Sequence, residues 1–119
     1  MAVVNYSVER ITTEKDPCHV LTWSNMANGD SGQPVEMPGS ADRTIQVTGT
    51  FGSGGNLKLE GSNDGTNYSV LTDPQGNDLD ITTAKIETIT EITRYMRPRV
   101  SAGNGATSLT VSMLVRRDL

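Results

Sequence analysis

Between Asp42 and Thr72 the chain repeats one pattern three times: a short alternation of apolar and polar residues, then a glycine-bearing break. Ile45, Val47 and Gly49 alternate with polar residues up to Phe51, Gly52-Ser53-Gly54-Gly55 interrupts, Leu57 and Leu59 alternate again, and Asn63-Asp64-Gly65 closes the run. A period of two puts the apolar set on one face of an extended chain, and Gly and Asn supply the backbone freedom that tight turns need. The pattern predicts an antiparallel hairpin of 42–51 with 56–62, feeding a third strand over 67–72. One half-buried face needs a second layer to cover it.

The other segments supply that layer. Residues 1–11 alternate loosely and read as a first strand or an N-terminal arm reaching to a neighbour, with a turn at Thr12–Pro17. Cys18 to Trp23 reads as a strand. Residues 25–41, with Pro34, Pro38 and three glycines, read as a long loop of the kind that often carries function. Over 79–92, Ile86, Ile89 and Ile92 recur at a helical spacing of three, but the threonines and β-branched isoleucines favour extended chain. Residues 94–101 alternate through Arg97-Pro98-Arg99, and the proline restricts that strand to an edge or a bulge. Leu109, Val111, Met113 and Val115 mark the last strand. The fold class expected is all-β: one antiparallel β-sandwich domain over 1–119, jelly-roll-like, of about eight strands.

The 34% hydrophobic and 4% aromatic content implies a thin core, which favours a homo-oligomer, dimer or trimer, or docking on a larger surface. A net charge of −4 opposes nucleic-acid binding, which needs a basic excess. The charge is unevenly spread: Arg94, Arg97, Arg99, Arg116 and Arg117 occupy a stretch without acids. Such a strand can complement an acidic protein or pair internally with Glu87 and Glu91. A single cysteine, Cys18, excludes an intrachain disulfide. No apolar run approaches the ~20 residues that span a bilayer, and residues 1–6 lack a signal-peptide pattern, so a chain made in the cytoplasm and free of membranes is expected.

Motifs that suggest catalysis do not assemble. Gly29-Asp30-Ser31-Gly32 matches the tetrapeptide around a serine-protease nucleophile, but His19 is in the wrong order and context. Adjacent Cys18 and His19 on a strand point to opposite faces and cannot share a metal or form a dyad. Gly52 to Lys58 misses the phosphate-binding fingerprints. The turn with Asp73, Asn77, Asp78 and Asp80 lacks the spacing of a calcium loop. No catalytic residue, metal or cofactor is expected.

The phrases Gly49-Thr50-Phe51-Gly52, Gly61-Ser62-Asn63-Asp64-Gly65 and Arg97-Pro98, with the polar loop from Trp23 to Gly32, resemble the small β-sandwich decoration, or cement, proteins of tailed-bacteriophage heads. The resemblance extends from about Trp23 to Val115. It implies a non-enzymatic jelly roll on the outer surface of the virion capsid, binding across joints between copies of the major capsid protein to hold the expanded shell. Candidate interface residues are Val3, Val4 and Tyr6 in the arm, Met26, Val35 and Met37 in the long loop, and Arg94, Arg97 and Arg99 in the arginine strand. Two other functions fit a sandwich: a tail or head-fibre component, and a carbohydrate-binding module using Trp23, Tyr68 and the Asp73–Asp80 turn.

Overall fold

The alternating segments become two facing sheets in the computed structural model, which describes residues 1–12, 17–40 and 42–116. Its strands are β1 (Val3–Val4), β2 (Tyr6–Thr12), β3 (Pro17–Met26), β4 (Ser31–Gly32), β5 (Asp42–Thr50), β6 (Asn56–Ser62), β7 (Ser69–Val70), β8 (Asp80–Ile81), β9 (Lys85–Ile89), β10 (Tyr95–Ala102) and β11 (Ser108–Arg116). The first sheet runs β1-β4-β10-β6-β7, with β8 also on β6, and the second runs β2-β3-β11-β5-β9. Apart from β2 and the short β1, the two orders interleave as β3-β11-β5-β9 against β4-β10-β6-β7, the double Greek key of a jelly roll. The all-β sandwich is therefore as expected, with eleven strands among the described residues instead of about eight. The three additional pieces, β1, β4 and β8, are each only two residues long.

The expected hairpin of 42–51 with 56–62 does not form. β5 lies between β11 and β9 in one sheet, whereas β6 lies between β10 and β7 in the other. Gly52-Ser53-Gly54-Gly55 is a corner that carries the chain from sheet to sheet. Gly52 has φ +71°, and a Cβ there would collide with Asn104 Oδ1, in the neighbouring crossover from β10 to β11. Thr107 Oγ1 closes this end by donating to Phe51 O at 2.8 Å. The 79–92 segment divides likewise, β8 joining the first sheet and β9 the second.

The long loop over 25–41 is partly sheet. Ser31 N donates to Ala2 O and Gln33 N to Val4 O on one side, while Val100 N donates to Asp30 O and Val35 N to Met96 O on the other. Residues 1–11 accordingly form β1 and β2, one in each sheet, rather than a free arm. β10 is not an edge strand either. Pro98 falls between the Val35–Met96 bridge and the Asp30–Val100 bond, where its missing N–H faces Gly32, so a proline is tolerated inside the sheet. The turn expected at Thr12–Pro17 falls mainly on residues 13–16, outside the described residues.

Between the sheets lie Leu21, Trp23, Ile45, Val47, Val111 and Met113 from one side and Leu57, Leu59, Met96 and Val100 from the other, all buried. Trp23 is fully enclosed, its indole N–H satisfied by Gln33 O at 3.1 Å and its ring edge-on to Tyr6. A bulge at Asn25, with φ +56°, shifts the β3–β11 register. Trp23 and Met26, three residues apart, thereby both face the core. Arg43 is buried under 37–40, donating to the Ser40 and Met37 carbonyls, and burial lowers its pKa.

Candidate interaction surface

The outward face of the first sheet carries the densest set of interacting polar side chains. On β10, Met96, Pro98 and Val100 point into the core, leaving Tyr95, Arg97 and Arg99 on the opposite face. On β6, Leu57 and Leu59 point inward and Lys58 and Glu60 outward. The ladder sets Arg97 opposite Glu60 and Arg99 opposite Lys58.

Glu60 is the hub of this face. Arg97 Nε donates to Oε1 at 3.1 Å and Arg99 Nε to Oε2 at 3.0 Å, so two guanidinium groups from one strand share one carboxylate. Although it lies on an outer face, Glu60 is only 6% exposed. The Tyr68 ring covers the Arg97 guanidinium at 3.9 Å from centroid to Cζ, a cation–π contact that fixes its plane. Burial raises the Tyr68 pKa, with Arg97 acting in the opposite sense.

The turn after β6 positions Tyr68. Asp64 accepts N–H bonds from Thr66 and Asn67, both at 2.8 Å, the Asn67 amide at 2.8 Å and the Ser62 hydroxyl at 2.9 Å. The bonds from Asn67, then those from Thr66 and Ser62, hold the Asp64 carboxyl well below the usual carboxylate range. Gly65, at φ +79°, lies against the Tyr95 ring. At the margin, Arg94 pairs with Glu36 at 2.6 Å and lies over Tyr95 at 5.1 Å.

The nine candidate interface residues separate by face. Val3 pairs with Ser31, which pairs with Arg99, so Val3, 67% exposed, shares the outward face with Arg97 and Arg99. Arg94 borders them. Val4, Tyr6 and Met37 are partly buried against the core. Met26 and Val35, at 0% and 4% exposure, are core residues and present no side chain to a partner. The bulge at Asn25 and the Val35–Met96 bridge draw them inward. Reading the sequence missed Glu60 and Lys58, because pairing β6 with β5 placed them away from the arginines; it passed over Tyr95 on the arginine strand and assigned Tyr68 to a glycan site instead. The arginine strand pairs with Glu60 rather than with Glu87, which meets Lys85, or Glu91, which accepts from Thr72.

Other candidates resolve into structural roles. Asp30 accepts N–H bonds from Ala2 at 3.1 Å and Ala27 at 2.9 Å, so the Gly-Asp-Ser-Gly stretch anchors β1. Asp73 Oδ1 accepts from Gln75 N and Asn77 N and shapes its own turn. Trp23, enclosed in the core, cannot stack on a sugar, which removes the glycan site composed around it. On the second sheet, a shallow groove of about 280 Å³ is lined by Asp42, Thr44, Thr88, Leu114 and Arg116, among others.

No protein-family profile and no curated protein sequence matches this chain. Its fold is similar to that of the SPBc2 prophage-derived protein YomS, with a TM-score of 0.61 and 12% identity over 89% of this chain and 96% of that one. A carbohydrate-binding module from the Cellvibrio mixtus lichenase 5A aligns over 96% of this chain and 87% of that one at 16% identity, with a TM-score of 0.33. The first likeness is one of fold, and the second is too distant to bear on it.

Proposed function

We propose that this chain is a non-enzymatic structural protein of a phage particle, a decoration protein that docks on the major capsid protein through the outward face of the first sheet. The observation that carries the reading is the Arg97–Glu60–Arg99 cluster under Tyr68. It lies on the outward face of a sheet and is rich in the Tyr and Arg residues that dominate protein interfaces. The sandwich shared with a prophage-derived protein and the phrases resembling capsid cement proteins supply the setting.

A sandwich of this size suits that task. A modest contact repeated over many equivalent joints gains through effective concentration, particularly if the protein binds as a dimer or trimer. The test is co-sedimentation with matching phage heads, counting bound copies per capsid subunit on compact precursors and on expanded shells. Saturable, high-copy binding to expanded shells supports decoration. Binding at a few copies per particle assigns the protein to a tail or head fibre, and no binding removes it from the shell.

A further inference from the structure

Arg97 and Arg99 each give Nε to Glu60, and among the described residues neither Nη pair makes a hydrogen bond. Lys58 stands in the sheet between Arg99 on β10 and Asp80 on β8, and makes no ion pair within hydrogen-bonding reach among the described residues. Three cations thus converge, with Glu60 holding two of them without saturating them and Asp80 set opposite the third. Arg97 and Arg99 are at positions i and i+2 of one strand, so their Cα atoms lie roughly 6.6 Å apart along it. Glu60 and the Tyr68 ring hold their planes, so little side-chain freedom is left to lose on binding.

We infer that this face is a socket for an extended acidic protein segment with carboxylates at alternate positions, one on the Nη pair of Arg97 and the next on that of Arg99. Side chains on one face of an extended segment recur at the same 6.6 Å or so, so two carboxylates meet two guanidinium forks in register. Lys58 receives a third from the side. One face of the Tyr68 ring is occupied by Arg97. The inference rests on the shell-docking reading and names the chemistry of the surface it meets.

The experiment uses two synthetic peptides of one composition, Glu-Thr-Glu-Thr-Glu-Thr-Glu and Glu-Glu-Thr-Thr-Glu-Glu-Thr, titrated into the full chain at low salt. Only the first has carboxylates two residues apart. It is expected to bind about tenfold tighter, equivalent to about 1.4 kcal/mol, and to shift the Nε resonances of Arg97 and Arg99. The triple change Glu60→Gln, Arg97→Gln, Arg99→Gln, which leaves no stranded charge, is expected to abolish the difference, and Lys85→Gln on the second sheet to preserve it. Equal affinities, no binding of either peptide, or a preference that survives the triple change overturns the inference. The wild-type comparison decides the matter even if a variant fails to fold. Shell binding without peptide discrimination overturns the socket and leaves the docking reading standing; peptide discrimination without shell binding does the reverse.

Discussion

Arg97 faces Glu60 directly across the β6–β10 ladder and donates Nε–H to it at 3.1 Å, while Tyr68 closes over the guanidinium from above. The carboxylate is far less exposed than the arginine side chain, at 8% against 28%. Losing the arginine leaves this largely buried acid with Arg99 as its remaining partner, whereas losing Glu60 as well removes the charge that needs a partner.

Arg97→Gln is accordingly expected to lower stability by about 1–2 kcal/mol, with screening at the exposed arginine keeping the effect at the low end for such pairs. Glu60→Gln in the same chain is expected to recover part of that loss. Urea unfolding of the two single variants and the double variant measures the coupling, and additive effects would show that the pair does not interact.

Gly32 faces Pro98 and Trp23. A Cβ there would lie 2.6 Å from Pro98 Cδ and 2.7 Å from Trp23 Nε1, so Gly32→Ala forces β4 away from β10 and is expected to cost about 2–3 kcal/mol. Gly39, with nothing within 4 Å of its added methyl, is expected to change by less than about 0.5 kcal/mol. Thermal unfolding of the pair tests the contrast.

Asp30 ties β1 to the sheet through the Ala2 N–H. Asp30→Ala is expected to lower stability by about 1–3 kcal/mol and to accelerate hydrogen exchange first at Ser31 and Gln33, whose N–H groups bond to Ala2 O and Val4 O. Unchanged exchange at those two amides would place the anchor elsewhere.

Asp64 ties stability to pH. Its pKa is depressed in the folded chain, so its contribution is present above the unfolded value, near 4, and is lost as pH falls through the lower folded value. Asp64→Asn is expected to be less stable than wild type at pH 7. The gap should shrink as pH drops below about 4. A gap independent of pH would show that the carboxylate charge plays no part.

Much of the fold was legible where alternation was long. The strand read at Asn56–Ser62 matches β6, and 108–116 extends the one read at Leu109–Val115 by a residue at each end. What alternation could not tell was which sheet a strand joins. In a jelly roll the inward faces of both sheets carry the same period-two pattern, so β5 and β6 look like a hairpin although a corner separates them. Nor could β4 be seen, because two residues among Gly and Pro show no period and its pairing depends on β1 and β10.

The site was legible in half. Arg97 and Arg99 stood out as alternating cations, but their shared carboxylate lies 37 and 39 residues away, and only the β6–β10 register brings the three together. Met26 looked like loop because the Asn25 bulge breaks the alternation that would have marked it as core. Pro98 looked like an edge residue because the gap opposite its nitrogen is a feature of tertiary structure.

The central claim is that the outward face of the first sheet binds the shell. Its most direct test is co-sedimentation with expanded heads of wild type, the Glu60→Gln, Arg97→Gln, Arg99→Gln variant, and Ile86→Thr on the second sheet. The account predicts saturable binding by wild type and Ile86→Thr, with binding by the folded triple variant reduced about tenfold or more, a loss of at least about 1.4 kcal/mol. Wild-type binding by the triple variant would contradict it.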